Sequence, residues 1–263
     1  MKEISFKGLH INDYEGSENT LIFIHAFPLS SKIWQHQIDF FKNKFRVITY
    51  DVRGLGKSVS HNNQFTMETY ANDLLSIIKH LKLKNVFVCG VSMGGYIILR
   101  CYLKNPEVFK GIILADSKAE RDDDNGLINR SNAIADIKKG KRKEFFSSFL
   151  PKLINKKSYS NNELRIFLDN ILNSNTDEGI CGAQLALATR TNVADYLKTF
   201  NIPALILVGE NDELTPLPCS ENMNKLIPNS KLKIIPEAGH LSNLENPEMF
   251  NKFLMDFLNA VGI

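Results

Sequence analysis

Short apolar runs alternate along this chain with stretches in which apolar residues recur every three to four positions. The runs fall at 4–6, 9–14, 20–26, 45–51, 85–90, 109–116, 203–210 and 231–236 and read as strands. Helical spacing occupies 31–43, 67–82, 93–105, 218–227 and 247–260, the last opened by Asn246-Pro247, an N-cap followed by proline in the first turn. After the third run strand and helix take turns, and the runs at 85–90 and 203–210 are nearly continuous in apolar residues. That pattern predicts an α/β fold in which eight strands form a mostly parallel sheet with an antiparallel start, covered by helices on both faces. No internal repeat is present.

Size and composition narrow the function classes. A chain of 263 residues buries a full core, and α/β folds of this length are often one domain. The net charge of +3 is too mild and scattered to argue for nucleic acid. There is no 18-residue apolar run to cross a membrane, and Met1-Lys2-Glu3-Ile4-Ser5-Phe6 lacks the apolar core of a signal peptide. Cys89, Cys101, Cys181 and Cys219 show neither metal-ligand nor disulfide-framework spacing, so we expect reduced thiols and a cytoplasmic location. Histidines and carboxylates form no recognisable metal cluster, and neither a metal nor another cofactor is expected.

The candidate chemistry centres on Gly90-Val91-Ser92-Met93-Gly94. A buried-type strand precedes it and a helical stretch follows, so the serine falls on a sharp strand-to-helix turn that exposes its hydroxyl. An acid and a histidine follow in the order such a turn requires. The strand 203–210 runs into Glu210-Asn211-Asp212, and the strand 231–236 into Glu237-Ala238-Gly239-His240. Both side chains would stand just past strand C-termini, the edge at which ligands of open parallel sheets bind. Asp116, at the end of the sixth strand, competes with Asp212 for the place of the acid; on folds with such a turn the acid most commonly follows the later strand, and the Gly209-Glu210-Asn211-Asp212 ending matches that, which favours Asp212. A further strand ends in His25-Ala26-Phe27-Pro28, a loop able to offer a backbone N–H to a developing oxyanion. Asp51-Val52-Arg53-Gly54-Leu55-Gly56-Lys57-Ser58 is not a phosphate loop, because the four residues needed between the first glycine and Gly-Lys-Ser are missing. Cys89, beside the turn, reads as packing.

With these pieces the chain resembles the α/β-hydrolase family over nearly its whole length, and within it the cofactor-free serine hydrolases grouped with 3-oxoadipate enol-lactonases and carboxylesterases. The resemblance implies Ser92 as nucleophile, His240 as base, Asp212 as its orienter, and the backbone N–H groups of Phe27 and Met93 as the oxyanion hole. It departs at Ala26, where the family usually has glycine; a positive φ there would distort the hole. Serine at position 92 sets the chain apart from the haloalkane dehalogenases and epoxide hydrolases of this fold, which carry aspartate there.

The resemblance also implies a helical cap at 118–199, inserted after the sixth strand into a core made of 1–117 and 200–263. Lys138, Lys139, Lys141, Arg142, Lys143, Lys152, Lys156 and Lys157 read as the solvated face of that cap, with a preference for acidic substrates as the alternative. His25, Gln184, Leu185 and Ala188 are the candidate substrate-pocket residues. The expected function is hydrolysis of a small carboxylic ester or lactone, a small-molecule acyl substrate, through an acyl-enzyme on Ser92. C–C bond hydrolysis, aminopeptidase or peracid-forming activity on the same three residues, or a non-catalytic ligand receptor, are the alternatives. Nothing in the sequence specifies the oligomeric state.

Overall fold

The computed structural model describes residues 1–59 and 64–263. Its sheet has eight strands: β1 (Lys2–Phe6), β2 (Leu9–Asp13), β3 (Thr20–Ile24), β4 (Arg46–Tyr50), β5 (Val86–Val91), β6 (Phe109–Ala115), β7 (Ala204–Gly209) and β8 (Ser230–Ile235). They lie in the order β1-β2-β4-β3-β5-β6-β7-β8, and β2 runs antiparallel to both of its neighbours while every later pairing is parallel. All residues of β3, β5 and β7 are buried, as strands covered on both faces require. Each strand begins and ends within one or two residues of its sequence-based bounds.

Helices of the sheet layers are α1 (Gln35–Phe41), α2 (Met67–His80), α3 (Met93–Lys104), α9 (Leu217–Leu226), α10 (Ser242–Glu245) and α11 (Pro247–Ala260). The stretch read as one helix over 31–43 is instead a 3₁₀ turn at Ser31–Trp34 that passes into α1. Trp34 stands at that junction, fully buried against Phe23 and Phe250. Local signals set the other ends: Thr66 and Thr69 form a capping box before α2, and Asn246 accepts from the Met249 N–H to start α11.

Between β6 and β7 run α4 (Asp124–Lys138), α5 (Arg142–Leu153), α6 (Lys156–Tyr159), α7 (Asn162–Ser174) and α8 (Asp177–Ala188). Asp123, Asn155, Asn161 and Thr176 cap four of them. The lysines of α4, α5 and α6 face solvent. This region is fastened to loops at the C-terminal edge of the sheet. Asn175 donates to the Pro28 carbonyl and accepts from Gly56 N–H, each at 2.7 Å, and Phe149 meets Phe27 with ring centroids 6.0 Å apart.

Register brings the site together. Ile24 lies beside Gly90, Val91 beside Ala115, Ala115 beside Leu207, and Gly209 beside Ile235. Five strands therefore end within about two residues of one another, and the loops that carry residues 25–28, 92, 116, 212 and 240 all leave the sheet at one edge.

Candidate active site

Ser92 holds φ 55° and ψ −112°, a conformation that L residues avoid and that the surrounding structure must impose. It does so by close approach. A Cβ at Gly90 would strike the Gly94 carbonyl, and one at Gly94 would strike the carbonyl of Ile24 on the neighbouring strand. Only glycine lets β3, β5 and α3 converge this tightly. The Ser92 N–H donates to Ala115 O at 2.9 Å, and Ser92 O accepts from Gly95 N–H at 2.9 Å. The side chain is left half-buried and free to point out of the turn.

Its hydroxyl meets His240. Ser92 Oγ lies 2.8 Å from His240 Nε2, and His240 Nδ1 lies 2.9 Å from each oxygen of Asp212. Asp212 accepts there, so Nδ1 carries the proton and Nε2 is the acceptor for the Ser92 hydroxyl. Asp212 is itself held: Oδ1 accepts from the N–H groups of Leu214 at 2.8 Å and Thr215 at 3.0 Å, and Oδ2 from the Thr215 hydroxyl at 2.7 Å. Burial alone would raise this carboxyl, but the His240 charge and the hydrogen bonds from His240 and Thr215 outweigh it and hold it at about 2. For His240 burial acts the other way, and the charge and hydrogen bond of Asp212, with smaller help from Asp116 and Glu245, lift the imidazole above its ordinary value. The three groups form a hydrogen-bonded chain able to take a proton from the serine and keep the resulting imidazolium.

Around the histidine the loop is braced on several sides. Asn211 N–H donates to Ala238 O at 2.8 Å, tying the Asp212 loop to the His240 loop. Glu245 accepts from Gly239 N–H at 2.8 Å and, through its other oxygen, from Asn155 N–H at 2.8 Å, which links the loop to α6. Asp116 makes no bond to His240; its oxygens are taken by Gly209 and Ser242. The acid beside the histidine is Asp212.

Phe27 and Met93 N–H groups donate to no protein acceptor among the described residues. Met93 opens α3, where helix geometry leaves N–H groups unpaired and the helix dipole favours negative charge. Ala26 has no positive φ, so the loop needs no glycine at that position. The distortion that an alanine there would cause in a left-handed turn does not arise.

Of the candidate pocket residues, His25 is corrected. Its imidazole is fully buried, accepting from Val52 N–H through Nε2 at 2.9 Å and bonded from Nδ1 to Ala26 O at 2.9 Å. Burial pushes its pKa down, so it is a neutral brace between the Phe27 loop and the 51–58 loop, not a cavity wall. Leu185 is 41% exposed on the outside of α8, and Ala188 borders a shallow depression with Arg121, Leu127 and Thr189. A helix presents its faces by 3.6-residue rotation, and the sequence does not say which one turns inward. Gln184 lies on a cavity of about 540 Å³ lined also by Arg130, Phe145, Phe149 and Leu214, but by none of Ser92, Asp212 and His240. Leu214 belongs to the Asp212 loop, and Phe149 packs on Phe27.

One polar cluster binds the inserted helices to the core. Buried Arg190 at the end of α8 grips Asp122 with two bonds of 2.7 and 3.0 Å, donates to Glu120 O, and lies 4.4 Å over the Tyr96 ring on α3. Arg130 bonds the same carboxylate and Gln184 Oε1. Arg190→Ala is expected to lower stability by about 3 kcal/mol, because a buried ion cluster loses its best-fitted partner. Thermal unfolding would show this as a drop in Tm of about 5–10 °C; no drop would mean that Arg130 and Lys118, whose Nζ lies 3.7 Å from Asp122 Oδ1, suffice.

The sequence reading does not single out Thr215, Glu245 or the Arg190 cluster, and names Asp51 only as the start of the 51–58 segment, without a role. For Thr215 a signal exists: Asp-x-x-Thr lets the aspartate accept from backbone two and three residues on. Asp51 similarly accepts from Ser31 N–H at 2.7 Å and Lys57 N–H at 2.8 Å, with nothing local to announce the longer contact.

A family model described as alpha/beta hydrolase fold matches residues 19–247. Over 253 residues the chain is 30% identical to 3-oxoadipate enol-lactonase 1 of Acinetobacter baylyi, covering 94% of this chain and 91% of that protein. It is 27% identical over 240 residues to 3-oxoadipate enol-lactonase 2 of the same organism, covering 88% and 85%. The malate-bound structure of a thermophilic esterase from Thermogutta terrifontis matches with a TM-score of 0.92 at 29% identity, covering 100% of this chain and 99% of that one.

Proposed function

The chain belongs to the α/β-hydrolase fold family, and from that premise we propose that it hydrolyses a small carboxylic ester or lactone through an acyl-enzyme on Ser92. The observation that carries this reading is the unbroken chain Ser92 Oγ to His240 Nε2 at 2.8 Å and His240 Nδ1 to Asp212 at 2.9 Å. His240 takes the hydroxyl proton as Oγ attacks the carbonyl carbon. Asp212 keeps the proton of Nδ1 in place and stabilises the imidazolium. The carbonyl oxygen becomes an anion beside the Phe27 and Met93 N–H groups, each such donor contributing about 3 kcal/mol to the transition state. His240 then protonates the leaving alkoxide or ring oxygen, and water repeats the steps in reverse to free the acid.

We place the rest of the substrate toward Leu214 and Phe149. A cavity of about 540 Å³ with mixed aromatic and polar lining suits a small molecule. We read 118–199 as a cap over the site, held by Arg190, Asn155 and Asn175. The enol-lactonase and esterase relatives favour a lactone or simple ester over a C–C bond or a peptide.

Treatment with a fluorophosphonate probe tests the nucleophile. We expect one adduct, on Ser92, and turnover within a panel of esters of graded chain length, lactones and β-diketones. No adduct on the folded protein, with no turnover, would favour a ligand receptor. Turnover of diketones alone would move the reading to C–C bond hydrolysis.

A further inference from the structure

Three consecutive residues at the end of β6 bond to the segments that bear all three reactive side chains. Ala115 O accepts from Ser92 N–H at 2.9 Å, and Ser117 Oγ donates to Ser92 O at 3.0 Å. Between them, Asp116 Oδ1 accepts from Gly209 N–H at 2.8 Å, and Gly209 closes β7 just before the loop of Asp212. Asp116 Oδ2 lies 2.5 Å from the Ser242 hydroxyl and 3.2 Å from Ser242 N, and Ser242 follows His240 by two positions.

Asp116 is fully buried and holds a left-handed φ of 45°, a conformation that a residue with a Cβ enters at a cost. Among the described residues no cation pairs with it. The charged groups that act on it are Asp212 and His240; burial, with the Asp212 charge, pushes the carboxyl up to about 8. A buried, strained, unpaired carboxyl is expensive to keep, and here its hydrogen bonds go to the two loops whose separation sets the site. Resting on the roles proposed above for Ser92, Asp212 and His240, we infer that Asp116 is a positioning residue that fixes the acid and base loops against the nucleophile turn without touching the substrate.

Two features set this apart from general core packing. The bonds end on Gly209, the last residue of β7, and on Ser242, the first of α10, which flank the loops of Asp212 and His240. They also need hydrogen-bonding geometry more than charge, since a neutral carboxyl serves Gly209 with one oxygen and Ser242 with the other. Asparagine has the same shape: its oxygen accepts from Gly209 N–H and its amide donates to Ser242 Oγ, losing only the longer bond accepted from Ser242 N–H at 3.2 Å. Alanine offers neither.

Asp116→Ala, Asp116→Asn and Ser242→Ala in the full chain test this, with fluorophosphonate labelling rate, kcat and KM on the best ester as readouts. Asp116→Ala is expected to lower kcat and the labelling rate about 10²-fold, as a misplacement of roughly 1 Å does, with KM changed less than about threefold. Asp116→Asn should recover to within about fivefold of the wild type, and Ser242→Ala should lose about tenfold in kcat. If the wild-type protein is not labelled at Ser92, the hydrolase reading fails and this inference with it. If the wild type is labelled and folded Asp116→Ala reacts at the same rate, the inference alone is overturned. Equal losses in Asp116→Asn and Asp116→Ala would also overturn it, because a side chain of the same shape would then fail to hold the loops. Should Asp116→Ala not fold, Ser242→Ala decides: unchanged kcat contradicts the inference, and a tenfold fall at constant KM supports it.

Discussion

Ser92→Ala is expected to lower kcat on the best ester or lactone by on the order of 10⁵- to 10⁶-fold, with the folded structure unchanged. The hydroxyl is the group proposed to form the acyl bond, and among the described residues its side-chain partner is His240 Nε2. Alanine keeps the Cβ and the backbone bonds to Ala115 and Gly95, so the turn and its strained φ persist. Residual rate would come from the Phe27 and Met93 N–H groups and from binding alone. Circular dichroism and thermal unfolding establish that the variant is folded; pre-steady-state kinetics of a chromogenic ester in the wild type should show a burst that the variant lacks. Hydrolysis within tenfold of the wild type would remove Ser92 from the chemistry.

Asp212→Asn should cost about 10⁴-fold in kcat near neutral pH, more than its side-chain volume or burial explains. Asparagine can turn its amide toward Nδ1, and the imidazole then carries its proton on Nε2, where it cannot accept from Ser92 Oγ. Thr215 and Leu214 would still have one oxygen to bond, which keeps the loop in place.

The pH profile separates this electrostatic role from a structural one. In the wild type, Asp212 raises His240 above its ordinary 6.5, and the base works only when neutral. The acidic limb of kcat/KM is therefore expected to have its midpoint above 6.5, with activity rising as the pH climbs through it. Without the Asp212 charge, burial acts on His240 with less opposition, and the limb should move to lower pH even as the plateau falls. An acidic limb that stays in place in Asp212→Asn, or a larger loss in Asp116→Asn than in Asp212→Asn, would reassign the acid to the end of β6.

The sequence made most of the core legible because its signals are local. The run Ala204-Leu205-Ile206-Leu207-Val208 can only be a strand covered on both sides, and it is fully buried in the sheet. Asn246-Pro247 marks the start of α11 through a cap that depends on neighbours three positions away. Gly90, Gly94 and Ser92 announced their turn, since close approach of strand and helix admits glycine alone. Five helices between β6 and β7 were less readable. Their polar, lysine-rich faces give the periodicity of a helix without fixing which side packs, and so Gln184 faces a cavity while Leu185 beside it faces water.

By itself, then, the sequence determined the succession of elements, the turn at Ser92, and the short list of acids and histidines that follow strand ends. Tertiary structure alone decided which of them meet. Asp116 and Asp212 carry the same local signature, an acid just past a buried strand, and His25 and His240 likewise both follow strands. What separates them is strand order and register: 148 positions lie between Ser92 and His240, and only the near-level ending of β5, β6, β7 and β8 brings them to 2.8 Å. Hydrophobic patterning acts over a few residues and encodes each element, whereas a distance between two loops is the sum of every strand pairing between them, and no stretch of chain contains it.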